Sequence, residues 1–165
     1  MKNCNSGKRV AMFPGTFDPF SIGHESIVTR ALALFDEVVI AVVNNAEKHS
    51  FMSLDNRMKY IESVFADEPR VRVVAFAGLM MDVARAEGAT CIVRGVRTVQ
   101  DFEYEKNLSD IYRSTAELES VLLCSYPEYG FVSSTMVRAH LVHGYDVSAY
   151  LPKKGDKTYL PSVEK

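Results

Sequence analysis

The chain has 165 residues, of which 47% are hydrophobic and 24% charged, with a formal net charge of -2. That balance fits one soluble globular domain over 1–165 and leaves no broad basic face of the kind that holds DNA or RNA. No apolar run approaches the roughly 20 residues of a membrane span; the opening MKNCNSGK has no signal-peptide core, and Cys4, Cys91 and Cys124 lack CxxC or metal-ligand spacing, so a cytoplasmic location is expected.

RVAMF (9–13) reads as a buried strand, and the apolar spacing after it predicts a helix over about 24–35. EVVIAVV (37–43) is a second strand, followed by the loop NNAEKHSF and a helix over about 54–66 with Ser53 as N-cap. VRVVAF (71–76) and TCIVR (90–94) are further strands, with helical patterns over about 80–87 and 101–116 after each. ESVLLCS (119–125) is the fifth strand, and VSSTMVR opens one more helix. Beyond HLVHG the pattern weakens, and prolines and charges in the closing stretch mark about 156–165 as a tail. Short strands rich in β-branched residues, alternating with helices, imply an α/β fold: a doubly wound five-stranded parallel sheet with helices on both faces.

In such a sheet the loops after the strands open on one edge, where ligands bind. The loop PGTFDPFSIGH (14–24) supplies Thr16 and His24 there. The loop after the second strand brings Lys48, the third Leu79 and Met80, the fourth Arg94 and Arg97, and the fifth YGFVSST (129–135). Each has an ordinary alternative. A lone histidine at a helix start is commonly exposed or capping, Lys48 is by default a solvated loop lysine, and Leu79 and Met80 read as core or pocket wall. The two arginines of VRGVR suit phosphate oxygens or salt bridges to DFEYE, and the serines cap a helix whose free N–H groups also favour anions. GxxxxGK[ST], GxGxxG and GxSxG are all absent, which removes the signatures of P-loop, dinucleotide and α/β-hydrolase chemistry. One histidine, one lysine, two arginines and several hydroxyls remain, a set able to hold a polyphosphate and stabilise charge developing at phosphorus.

PGTFDPFSIGH, RGVR, DFEYE and FVSSTMVR, in this order, resemble the phosphopantetheine adenylyltransferases of the HxGH nucleotidyltransferase superfamily, over about Val10 to Pro152. The resemblance implies a Rossmann-like fold and the reaction of 4'-phosphopantetheine with ATP to give dephospho-coenzyme A and pyrophosphate. It also implies Mg2+ carried with the ATP, coenzyme A as a feedback inhibitor and a homohexamer, with no nucleic acid or membrane partner. Thr16, Lys48, Leu79, Met80 and Arg94 fall on the pantetheine side. Thr16, Phe17, His24, Gly95, Val96, Arg97, Glu105, Tyr129, Gly130, Phe131, Val132, Ser133, Ser134 and Thr135 fall on the ATP side, and His24, Lys48, Thr16 and Arg97 are the expected catalytic groups. Two rivals share these motifs: a cytidylyl- or mononucleotide adenylyltransferase with a different acceptor pocket, and a catalytically silent nucleotide sensor.

Overall fold

Strands that are apolar along their whole length need cover on both faces. In the computed structural model, which describes residues 7–44 and 50–161, that cover comes from helices on both sides of one sheet. The elements run β1 (Val10–Gly15), α1 (Ile22–Ala31), β2 (Glu37–Val43), α2 (Leu54–Val64), β3 (Val71–Phe76), α3 (Met80–Ala86), β4 (Cys91–Val96), α4 (Val99–Ala116), β5 (Glu119–Cys124) and α5 (Ser134–Val142). All pairings are parallel, in the order β3-β2-β1-β4-β5.

The twofold alternation of a strand divides the core. Ala11, Phe13, Val38, Ile40 and Val93 pack against Ile27, Val28 and Ala31 of α1 and Tyr60, Ile61 and Val64 of α2. Val10, Met12, Val39, Ala41 and Ile92 face the other way, against Ala84 of α3 and Tyr112 and Ala116 of α4. A smaller cluster joins Val137 of α5 to Val147 and Leu151.

The strand order reverses between β1 and β4, and there the sheet opens. β1 pairs with β2 over its whole length, to Gly15↔Val42, but with β4 only at Ala11↔Cys91 and Met12↔Ile92. Beyond that point the two strands part and leave a crevice at their carboxyl ends. Pro14, which has no N–H to donate, fits this free end of β1; its carbonyl, on the β4 side, accepts instead from Arg94 Nη1 at 2.6 Å.

Several boundaries differ from the expected ones for local reasons. β1 and β4 run on to Gly15 and Val96 because their ladders with β2 and β5 continue. α1 stops at Ala31, not 35, because its last turn tightens: Ala33 N–H donates to Arg30 O and Leu34 N–H to Ala31 O. α4 starts at Val99 because Thr98 Oγ1 caps it, accepting from Asp101 N–H at 3.0 Å. Ser53 caps α2 as expected, accepting from Asn56 N–H at 3.1 Å. The stretch expected as a tail from 156 packs as far as Leu160: Asp156 N–H donates to Ser63 Oγ at 2.8 Å, and Tyr159 and Leu160 pack against the α1–α2 core.

Candidate active site

The loop after β1, the end of β4 and the segment after β5 enclose a cleft of about 330 Å³ at the switch point. Thr16, Phe17, His24, Arg94, Gly95, Arg97, Glu105, Tyr129, Val132, Ser133, Ser134 and Thr135 all line it.

His24 occupies the first turn of α1, where the chain has just left a strained bend. Phe17 has φ of +50°, a left-handed conformation costly for a bulky side chain. That bend folds the Phe17 ring over Gly15, where an added Cβ would sit 2.6 Å from the ring, so position 15 has room only for glycine. The same ring meets His24 edge-on at 5.1 Å, with Phe20 at 5.3 Å and Phe13 at 6.2 Å completing an aromatic seat. Ser21 N–H donates to His24 Nδ1 at 2.9 Å, and Ser21 Oγ lies 3.0 Å from the same nitrogen. Because Nδ1 accepts, the ring proton of the neutral imidazole belongs on Nε2. Withdrawal from water, reinforced by the charges of Arg97 and Arg94, pushes the His24 pKa down to about 4. At neutral pH His24 is therefore an uncharged hydrogen-bond donor.

The two arginines differ in how firmly they are held. Arg94 is clamped by a bidentate pair with the buried Glu105, Nε to Oε2 at 2.8 Å and Nη2 to Oε1 at 2.5 Å, besides its bond to Pro14 O. Arg97 is held more loosely: Nε donates to one Asp101 oxygen at 3.1 Å and Nη1 to Val132 O at 3.5 Å, and the Arg97 and Asp101 side chains are more exposed. Both carboxylate contacts realise the salt-bridge alternative for DFEYE, while Arg94 and Arg97 still line the cleft. Opposite them, Ser133 Oγ caps α5 by accepting from Met136 N–H at 3.1 Å, so capping and cleft lining coincide there. Ser134 Oγ donates to Pro19 O at 2.8 Å, tying α5 to the β1–α1 loop.

Other expected residues stand elsewhere. Leu79 is exposed at the start of α3, and Met80 packs with the α3–α4 core; neither lines the cleft. Val96 is buried, Gly130 closes the short 3-10 turn at Pro127–Tyr129, and Phe131 stands exposed with its ring 6.0 Å from Tyr150. Lys48 lies outside the described residues.

The sequence reading missed several groups. Phe13, Ser21, Ile27, Asp101 and Ser125 also line the cleft. Behind it, buried Arg57 donates to Thr16 O at 2.7 Å and Val43 O at 3.0 Å, and Arg138 donates to Asp18 O at 2.6 Å. The two arginines thus grip the carbonyls on either side of strained Phe17. The Asp18 carboxylate accepts from Phe51 and Met52 N–H groups at 2.7 and 2.8 Å, anchoring the loop from a third side. An arginine inside the apolar pattern of α2 signals a buried role, but its acceptors are backbone atoms distant in sequence. Gly95 matters for packing: a Cβ there would sit 3.0 Å from Ile27 Cγ1, so glycine lets the Ile27 side chain of α1 lie close against β4.

A family model described as cytidylyltransferase-like matches residues 12–140. The phosphopantetheine adenylyltransferase of Phocaeicola vulgatus is 51% identical over 145 residues, covering 88% of this chain and 96% of that one. The chain belongs to the phosphopantetheine adenylyltransferase family. The member from Bacteroides fragilis is 47% identical, over 88% of this chain and 97% of its own. A bifunctional NMN adenylyltransferase/ADP ribose pyrophosphatase from Francisella tularensis superposes with a TM-score of 0.69 at 22% identity, covering 93% of this chain and 48% of that one. That likeness is one of fold, shared between this family and a longer nucleotidyltransferase.

Proposed function

We propose that this phosphopantetheine adenylyltransferase joins the AMP portion of ATP to 4'-phosphopantetheine, giving dephospho-coenzyme A and pyrophosphate. The observation that carries the reading is His24: an imidazole kept neutral, with Nδ1 satisfied by Ser21 and its proton left on Nε2, on the wall of a cleft flanked by two arginines. A donor of this kind suits charge that appears at phosphorus only in the transition state.

The acceptor phosphate is already an anion and needs no general base. One of its oxygens forms a bond to the α-phosphorus while the bond from that phosphorus to the pyrophosphate oxygen breaks, with no covalent enzyme intermediate. His24 Nε2–H stabilises the charge on the α-phosphoryl oxygens. Thr16 and Lys48 hold the acceptor phosphate and α-phosphate, with Arg94 on the pantetheine side. Arg97, less tightly held than Arg94, serves the β- and γ-phosphates with the hydroxyls of Ser133 and Thr135, while Ser134, whose hydroxyl donates to Pro19 O, contributes its backbone at the start of α5. The remaining ATP-side residues, Phe17, Gly95, Val96 and Tyr129 to Val132, shape the nucleotide pocket, and the apolar loop of Leu79 and Met80 receives the pantetheine arm.

Among the described residues no group of three His, Cys, Asp or Glu side chains could hold a metal ion, and the cleft's carboxylates, Asp101 and Glu105, are bonded to arginines. That donor set fits a Mg2+ held by the ATP phosphates and water, where it would neutralise phosphate charge. Coenzyme A, which contains the product's groups, would compete for the same cleft. Among the described residues no helix is long and apolar enough to cross a membrane. We further propose a cytoplasmic homohexamer on family likeness; light scattering that returns a monomer at micromolar concentration would overturn the assembly.

The test is pyrophosphate release from ATP and Mg2+ with a panel of acceptors. Turnover should require 4'-phosphopantetheine and be poor with nicotinamide mononucleotide or glycerol 3-phosphate. Equal turnover with either of those would move the chain to a different acceptor class, and no turnover at all would favour a nucleotide sensor.

A further inference from the structure

Family likeness puts Glu105 with the nucleotide, yet its carboxylate is spent on Arg94, the expected acceptor-side arginine. Both oxygens are engaged in a two-point fork, and the Glu105 side chain is only 7% exposed. Arg94 reaches across the gap where β1 and β4 part, so its guanidinium is fixed by three elements: its own strand, β1 through Pro14 O, and α4 through Glu105. Among the described residues, protein acceptors take one N–H each from Nε, Nη1 and Nη2. Two of the five guanidinium N–H bonds remain, on a side chain 25% exposed in the cleft wall. A salt bridge serving stability alone has no need of an edge left open on a ligand cleft. Arg97, which meets one oxygen of Asp101 and, at 3.5 Å, Val132 O, lacks such a two-oxygen clamp.

We propose that Glu105 is a positioning residue for the acceptor: it orients Arg94 so that the two free N–H bonds face the phosphate of 4'-phosphopantetheine. This rests on the reaction proposed above. The planar fork fixes the guanidinium in both direction and tilt, which a single hydrogen bond does not. Glu105 also offsets the Arg94 charge, so acceptor binding depends on the direction of the N–H bonds more than on bulk attraction. Its effect is therefore on the acceptor and not on ATP.

The experiment is steady-state kinetics with each substrate varied separately, on the wild type, Glu105→Gln, Glu105→Asp, Arg94→Lys and the Glu105→Gln/Arg94→Lys double variant. Glu105→Gln should raise KM for 4'-phosphopantetheine about tenfold, the order expected when a charge-assisted hydrogen bond is misaimed, and leave KM for ATP within about twofold. The double variant should be no worse for the acceptor than the worse single variant, because both changes remove one unit. A rise confined to the ATP KM would make Glu105 a nucleotide contact and overturn the proposal. Equal rises in both KM values, no change in either, or additive losses in the double variant would overturn it too. If Glu105→Gln does not fold, Glu105→Asp, which keeps the charge but withdraws it by one methylene, is judged by the same KM split. Wild-type turnover separates the two levels: its absence refutes the proposed function, whereas normal turnover with an unchanged acceptor KM in the variant refutes only this inference.

Discussion

Replacing His24 by alanine removes one hydrogen-bond donor from a seat that the rest of the loop would keep. The imidazole is fixed at Nδ1 by Ser21 and packed against three phenylalanine rings, so Nε2 is aimed before substrate arrives. A preorganised donor of this kind contributes about 10²- to 10³-fold in rate, or roughly 3–4 kcal/mol of transition-state stabilisation. His24→Ala should therefore lower kcat by at least that factor while ATP affinity changes by less than about threefold, since the ground-state phosphate makes a weaker demand on a neutral donor. The fold should survive, because the loop is also held by Arg57, Arg138 and the Asp18 carboxylate. Pyrophosphate release gives kcat, calorimetry gives the ATP dissociation constant, and circular dichroism checks the fold. A folded variant with near-normal kcat would reduce His24 to a helix-start residue and refute the reasoning. A loss equal in kcat and in ATP affinity would make it a binding group only.

Arg97→Ala should weaken ATP binding as well as turnover, because its partner phosphates are charged in the ground state; calorimetry alongside kinetics distinguishes this from the His24 pattern. His24 should titrate near 4 by NMR, against 6.5 for the free side chain. Its depressed value means that the unfolded chain binds the extra proton first, so this contribution to stability is complete above pH 6.5 and is lost as pH falls toward 4, by up to about 3 kcal/mol. Urea unfolding of the wild type at pH 7.5 and 4.5, compared with His24→Ala, should show the wild type losing more, and a midpoint near 6.5 would contradict the half-buried neutral state. Gly155→Ala should lower the melting temperature, since an added Cβ would lie 2.5 Å from the Tyr60 ring; a cost of about 1–3 kcal/mol is expected from overpacking, and an unchanged Tm would refute the packing of this closing stretch.

The alternation of apolar strands with amphipathic helices was enough to read the parallel sheet, because that period is a local property of the chain. The ends of β1 and β4 were not legible: their extension depends on ladder partners, and Pro14 and Gly95 read locally as breakers. The cleft was legible where chemistry sits in short motifs, as with His24, Arg94, Arg97 and the Ser133–Thr135 hydroxyls. Arg57 and Arg138 escaped because each acts on a carbonyl far away in sequence, a relation no spacing rule encodes. The partner of Arg94 was half legible: salt bridging to DFEYE was foreseeable, but which carboxylate it meets depends on how α4 lies across β4. Leu79 and Met80 were placed at the ligand edge by the loop after the third strand and given their pantetheine role by family likeness, and the cleft enclosed by β1, β4 and β5 does not reach them.

The central claim is attack at the α-phosphorus of ATP, and the fate of two phosphorus labels tests it most directly. With ATP labelled at the α-position, the label should move with 4'-phosphopantetheine into dephospho-coenzyme A, and with ATP labelled at the γ-position it should leave entirely in pyrophosphate. Chromatography of the two reactions side by side separates these products. A γ-label found on the acceptor with ADP released, or an α-label left in free AMP, would contradict the account.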